Sequence, residues 1–315
     1  MPRDVRCVQG YDRQIPRTTT VRGTGSHRLG LSGRSIEEPT DHAGRRSRPG
    51  FGLDPPVHFP RKGNAPTMTD DTDDRLAHRL ATEAGSLLLD VRQSGLEGSD
   101  LKAAGDRRSH EFLMSHLAEA RPADRILSEE SAEHQAGRGT GRVWIVDPLD
   151  GTREFSEPPR SDWAVHVALI VDGRPVAGAV ALPGRDLTLS TAGRLPTPIA
   201  TVPGRPRLLV SRTRPTEHAT ALAELLGADL VPLGSAGAKA MAVVLGEADV
   251  YAHSGGQYEW DSAAPVTVAA AAGFHVSRLD GSPLVYDGPT PWMPDLLVCH
   301  PALAERVLAH CRSLD

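Results

Sequence analysis

Cysteine, long apolar runs and a strong charge of either sign are what this sequence lacks. Its three cysteines, Cys7, Cys299 and Cys311, are scattered, with no paired metal-type spacing and too few for a disulfide framework, so a reducing cytoplasm is the expected compartment. No run of about 18 apolar residues is present, which argues against a transmembrane helix. A formal charge of −5 and a pI near 6.2 give no general case for nucleic acid or a membrane surface as a partner. No repeat at solenoid periods is evident. At 315 residues the chain is long enough for two domains, or one large one, around a substantial core.

The first 66 residues read differently from the rest. They are rich in Arg, Gly, Pro, Ser and Thr, as in "DHAGRRSRPGFGLDPP", and hold no sustained period. Such a segment buries too little apolar surface to offset its ordering entropy, so a disordered basic extension is expected over 1–66. It lacks the apolar stretch of a secretion signal. The folded unit is expected to open near Met68, with "MTDDTDDRLAHRLATEAGSLLLDVRQSG".

Asp70, Thr72 and Asp73 are capping residues for a helix whose apolar positions, Leu76, Leu80, Ala84, Leu87, Leu88 and Val91, recur at helical spacing until Gly95. A loop, "GSDLKAAGD", is expected next, then a second helix after Asp106 that buries Phe112, Leu113, Leu117 and Ala118. "RILSEES" and "RVWIVD" are short apolar runs that stop at acidic residues. From Trp163 to Thr191 the β-branched pattern with an Asp172-Gly173 turn predicts an antiparallel meander. Beyond residue 200 strands and helices alternate, with helices expected around Thr216–Leu226, Ala236–Leu245 and Trp260–Ala272. The expected fold is α+β in the first half and α/β in the second. The expected division is a metal-binding α+β domain over 67–200 and a substrate-selecting α/β domain over 201–315.

Acidic residues gather at the ends of these elements: Asp106 in "AAGDRRS", Glu129 and Glu130 in "LSEES", Asp147 and Asp150 in "VWIVDPLDGTREF", and Asp261 in "YEWDSAAP". Taken singly, a Glu-Glu pair reads as solvated surface, an Asp near a helix start as a cap, and Asp-Gly as a turn. Two aspartates three positions apart repel one another unless a cation lies between them. No His or Cys cluster accompanies them, and oxygen-only sets suit Mg²⁺ or Mn²⁺ better than zinc. A pair of such ions about 4 Å apart can activate water, hold a phosphoryl oxygen and stabilise a leaving alkoxide.

Together, "LSEES", "WIVDPLDGTREF" and "EWDSAAP", in this order and at these separations, resemble the signature segments of the inositol monophosphatase superfamily of Mg²⁺-dependent, lithium-sensitive phosphatases. The resemblance covers about Asp70 to the C-terminus and implies a layered αβαβα fold. "GSAGAKAMAVVLGEADVYAHSGGQYEWDSAAP" looks most like the CysQ-type branch, 3'-phosphoadenosine 5'-phosphate phosphatases, and its actinobacterial members in particular. The resemblance implies Glu129, Asp147 and the Leu149 carbonyl as ligands of a first Mg²⁺, and Asp147, Asp150 and Asp261 as ligands of a second. Mn²⁺ is an alternative metal. Glu130 would support the site from behind. Asp106 would help activate water and meet a third, weaker ion, with Thr152 as its partner. Relatives often carry a "TxxD" approach to that aspartate and a lysine well before it. Here the approach is "LKAAGD", and Lys102 is too close to Asp106 to be equated with that lysine. Homodimers are common among such relatives.

The substrate expected is a small phosphate ester, the nucleotide left over by sulfate assimilation. Gly151 and Thr152 offer backbone N–H groups to its phosphate at a helix start. Ser235 caps a helix of small residues, and Lys239 one turn on points a cation at the anion. Ser211 and Arg212 end a strand facing the same cleft, as a 5'-phosphate or sugar contact. Trp260 reads as a packing anchor rather than a platform for a base. Inositol 1-phosphate and fructose 1,6-bisphosphate are the rival substrates within the superfamily. A haloacid dehalogenase-type phosphatase is a rival class, but its DxDGT differs from the DxxDGT here, which lies mid-chain after a Glu pair. A purely metal-binding regulator would need no Asp106/Thr152 pair, so catalysis is favoured.

Overall fold

Alternation along single strands sets the architecture of the computed structural model, which describes residues 71–131, 141–202, 204–213 and 215–312. The extension expected over 1–66, and the capping residue Asp70, lie outside the described residues. In β2 (Arg142–Asp150), Val143 and Ile145 face one core while Trp144 and Val146 face another, so a strand buried on both sides reads as a continuous apolar run. β1 (Arg125–Ser128) pairs parallel to β2. β3 (Ala164–Val171), β4 (Arg174–Leu182) and β5 (Leu187–Ser190) follow as the expected antiparallel meander, giving the order β1-β2-β3-β4-β5. Asp172 and Gly173 form the β3–β4 turn, both at positive φ, as a two-residue hairpin of this twist requires.

One face of this sheet is covered by α1 (Asp73–Arg92) and α2 (Gly98–Ala120). Leu76, Leu80 and Leu88 of α1 are fully buried there, each stabilising by about 1.5–3 kcal/mol. The other face meets α5 (Ala236–Val244) and α6 (Glu259–Ala271), which also cover a second sheet. That sheet runs β7 (Asp229–Leu233), β6 (Arg207–Ser211), β8 (Val250–Tyr258), β10 (Trp292–Cys299) and β9 (His275–Ser277). The first three strands are parallel and the last two pairings antiparallel. Its outer face packs on α4 (Glu217–Leu226) and α7 (Pro301–Cys311). Helices and sheets thus form the five layers αβαβα, and the described residues group as one compact unit. No described helix is long and apolar enough to cross a membrane.

One expected loop is helix. α2 begins at Gly98, so "GSDLKAAGD" is its first half and Asp106 sits within it rather than before it. Tertiary contact overrides the local glycines. Leu101, Ala104, Gly105 and Ser109 form a buried face, and a methyl on Gly105 would come within 2.8 Å of Phe155 and 2.9 Å of Leu149. The missing side chain lets α2 press against the loop that follows β2.

Candidate active site

The spacing of Asp147 and Asp150 is resolved by a break in strand pairing. On a regular strand, residues three apart point to opposite faces. Here Asp147 pairs with His166 but Asp150 pairs with Ala164, so β2 holds one extra residue at Pro148–Leu149. The bulge returns Asp150 to the face of Asp147. That face looks toward the start of α6, which supplies Asp261. Carboxylate oxygens of Asp147, Asp150 and Asp261 lie within 4.8 Å of one another, an arrangement that could hold a metal ion.

Each carboxylate is held by its surroundings. The Leu149 N–H donates to Asp147 at 3.0 Å, and the Tyr258 N–H donates to Asp261 at 2.7 Å. Asp150 meets the N-terminus of α5: it accepts from the Ser235 hydroxyl at 2.5 Å, the Gly237 N–H at 2.7 Å and the Ala236 N–H at 3.2 Å. His166 Nε2 makes an ion-pair contact with Asp150 at 3.2 Å, while its Nδ1 donates to the Trp260 carbonyl at 2.9 Å. Burial lowers the His166 pKa, but the charge of Asp150 and the Trp260 carbonyl outweigh it and raise it, which favours the protonated ring.

These surroundings push the carboxyls apart in acidity. Burial, then the charges of Glu129, Asp150 and Asp261, raise Asp147 well above the usual range. Burial and the charge of Asp150 raise Asp261 to about 6. Burial would raise Asp150 as well, but the His166 charge and the hydrogen bonds from Ser235 and Gly237 bring it down to about 2. Glu129 stands at the rim, exposed as a residue and outside the tight trio. Loss of hydration on its protein side, then the charges of Asp261, Asp150, Glu130 and Asp106, lift it to about 7. Buried carboxylates crowded this way are short of positive charge, and an all-oxygen donor set fits a hard divalent cation.

α2 splints the same loop. Ser109 donates to the Pro148 carbonyl at 2.7 Å, and the Thr152 hydroxyl lies 3.4 Å from Asp106 and 3.2 Å from the Leu149 carbonyl. Burial and the charge of Glu130 raise Asp106 to about 6, against the Thr152 bond and Lys102, which lower it. Gly151, at φ 86°, turns the chain into the four-residue α3 (Thr152–Phe155).

A cleft of about 490 Å³ opens over these groups. Asp150, Gly151, Thr152, Ser211, Arg212, Ser235, Lys239 and Asp261 all line it, so eight sequence-predicted residues share one space. Two of them are oriented otherwise than expected. Lys239 is 7% exposed and folds back, donating to the Gly234 carbonyl and, at 2.9 Å, to the Ser235 carbonyl. Its ammonium satisfies its own helix start instead of projecting freely, because α5 is buried along its length. Arg212 pairs with Glu154 at 2.7 Å and Glu157 at 3.0 Å, so its charge is already engaged. Ser235 caps α5 as expected, accepting from the Ala238 N–H at 2.9 Å. Trp260 is 4% exposed, as a packing residue should be.

The model of the inositol monophosphatase family matches residues 70–314. The chain belongs to that family. A 3'-phosphoadenosine 5'-phosphate phosphatase of Mycobacterium bovis is 49% identical over 257 residues, 78% of this chain and 95% of that protein. One of Mycobacterium leprae is 46% identical over 256 residues, 77% and 94% of the two chains. Among solved structures, CysQ of Bacteroides thetaiotaomicron superposes with a TM-score of 0.62 at 26% identity, covering 71% of this chain and 96% of its own. The family resemblance read from the acidic segments and the layered fold it implied are both borne out.

His166 is the site residue that the sequence alone did not disclose. It lies inside an apolar strand, "WAVHVALIV", where a lone histidine carries no motif. Its partner across the strand pair is Asp147, and that pairing is the signal that a register argument could have used.

Proposed function

We propose that this chain is a 3'(2'),5'-bisphosphate nucleotidase that removes the 3'-phosphate of 3'-phosphoadenosine 5'-phosphate with water, acting also on 3'-phosphoadenylyl sulfate. The observation that carries the reading is the carboxylate trio of Asp147, Asp150 and Asp261, two of which line one cleft together with Thr152, whose hydroxyl meets Asp106. The choice of substrate is supported by the relatives at 46–49% identity, which carry that activity in their names.

Mg²⁺, as two or three ions with Mn²⁺ as a substitute, would supply positive charge against the phosphate and acidify the attacking water. Glu129, Asp147 and the Leu149 carbonyl would hold one ion, and Asp147, Asp150 and Asp261 the next. Thr152 orients the water, and Asp106 accepts a proton through the Thr152 hydroxyl, across a contact of 3.4 Å that must tighten when substrate binds. Glu130 keeps Asp106 proton-hungry by its charge. The Gly151 and Thr152 N–H groups face the phosphate. Ser211, Arg212, Ser235 and Lys239, from the second half of the chain, bound the space for the rest of the nucleotide. The compartment proposed is the cytoplasm, in keeping with Cys299 and Cys311, both buried and in no disulfide among the described residues.

The test is kcat/KM for 3'-phosphoadenosine 5'-phosphate against inositol 1-phosphate and fructose 1,6-bisphosphate with Mg²⁺. The nucleotide is expected to be preferred, and a clear preference for either rival ester overturns the assignment. In the same assay Asp147→Asn and Asp261→Asn are expected to lower turnover by at least about a hundred-fold, since even outer partners of metal ligands are worth that much.

A further inference from the structure

Aromatic side chains are few in this protein, 4% of residues, and most of the described ones are buried. Among the described residues only two aromatic side chains are exposed, Trp292 at 49% and Tyr258 at 43%, and both line the cleft that holds the carboxylates. Leaving an indole half in water forgoes burial that a core position would give it. Its place therefore calls for an explanation.

The backbone around it is shaped to hold it. Between Ser254 and Gln257, β8 carries two residues, Gly255 and Gly256, where the facing β10 carries only Pro294. Both glycines are at positive φ, 105° and 87°. The bulge lets the Trp292 indole lie directly on Gly256, where an added Cβ would fall 1.8 Å from the ring. His253, which also lines the cleft, braces the bulge by donating from Nε2 to the Gly256 carbonyl at 2.9 Å. Tyr258, paired opposite Trp292, turns an edge to the indole at 5.4 Å and 82°, and its own face is backed by Trp260 at 4.7 Å and 11°. The indole is thus held against backbone in the cleft wall, with about half of its residue surface left exposed.

We infer that Trp292, cradled by Gly256 and steadied by Tyr258, is the platform on which the base of a nucleotide substrate stacks, and so determines specificity for nucleotides over base-free phosphate esters. Stacking suits the site because every base has an apolar face and the platform asks for no hydrogen-bond match. The phosphate is bound at the carboxylate end of the same cleft and the base at the aromatic end. This inference rests on the nucleotide reading given above.

The experiment compares kcat/KM for 3'-phosphoadenosine 5'-phosphate with that for glycerol 2-phosphate, an ester with no base, in the Mg²⁺-loaded full-length protein. In Trp292→Ala the preference for the nucleotide, the ratio of the two values, is expected to fall roughly ten-fold or more, mostly through KM, while Trp292→Phe retains most of it. Gly256→Ala, which fills the cradle, is expected to act in the same direction. Titration with AMP is expected to quench tryptophan fluorescence in the unaltered protein and much less in Trp292→Ala. A ratio that stays unchanged in Trp292→Ala, with the unaltered protein preferring the nucleotide, overturns this inference alone. An unaltered protein that shows no preference for the nucleotide overturns it together with the substrate assignment.

Discussion

Asp106 and Asp150 are both aspartates beside the same cleft, yet one is tuned to about 6 and the other to about 2. The difference lies in what surrounds each oxygen. Asp106 has burial and the Glu130 charge against one long bond from Thr152, while Asp150 has a histidine cation and three donors. An acceptor of protons near neutrality and a permanent anion are set side by side. The rate is therefore expected to rise with pH through about 6, as Asp106 loses its proton and becomes able to accept one. Asp106→Asn is expected to abolish that limb of the kcat/KM profile and to slow turnover by about 10²–10⁴-fold. A variant that keeps the limb at the same pH assigns it to another group. The gathering of Asp147, Asp150 and Asp261 was expected from the resemblance that their segments carry in order and separation, since each segment alone reads as surface, cap or turn. His166 was not, since nothing in "AVHVALIV" distinguishes a packed histidine from one aimed at a carboxylate.

Elements deliver the site through close backbone approaches that only missing side chains allow. α5 reaches Asp150 because Gly237 lies against His166; a methyl there would sit 2.0 Å from His166 Nε2. The imidazole has no room to retreat, being fully buried and tied to Trp260. Gly237→Ala is expected to push the start of α5 off Asp150 and to cost about 1–3 kcal/mol, a fall of several degrees in Tm. Gly193→Ala, whose methyl would meet nothing nearer than 3.9 Å, is the control and is expected to leave Tm within about one degree. Equal melting of the two variants would show that α5 does not depend on this contact. The same principle explains what the sequence concealed. Glycines at 98 and 105 made the first half of α2 look like a loop, because local propensity does not record that Gly105 lies under Leu149 and Phe155. β10 was illegible for a related reason. Pro294 within "WMPDLLVC" speaks against a central strand, yet it sits at the bulge, the one place a central strand tolerates it.

For the molecule as a whole, the acidic cluster couples stability to pH and metal. Glu129 and Asp261 have folded-state pKa values of about 7 and 6, above their ordinary values of 4.5 and 3.8, and Asp147 is raised as well. The folded protein therefore holds more protons than the unfolded chain between about pH 4 and 7, and stability falls as pH rises across that window. The metal-free protein is expected to melt at a higher temperature at pH 5.5 than at pH 7.5. Mg²⁺ is expected to raise Tm more at pH 7.5, shrinking or reversing the difference. Thermal scans in chelator and in Mg²⁺ check this, and a metal-free Tm that climbs with pH contradicts it. The meander and the strand–helix alternation were visible beforehand because they obey local periods, whereas the layering was implied by the family resemblance alone. The way five layers bring β2, α2, α5 and α6 to one point was not, because that convergence depends on pairing registers that no local period encodes.

The grip of α5 and His166 on Asp150 also sets its charge apart from that of its neighbours. One negative charge waits there before any cation arrives, while its neighbours still share protons. Loading must then expel those protons into the medium. The pocket is thereby poised to exchange protons for cations, with a set-point shared between one histidine and the start of one helix.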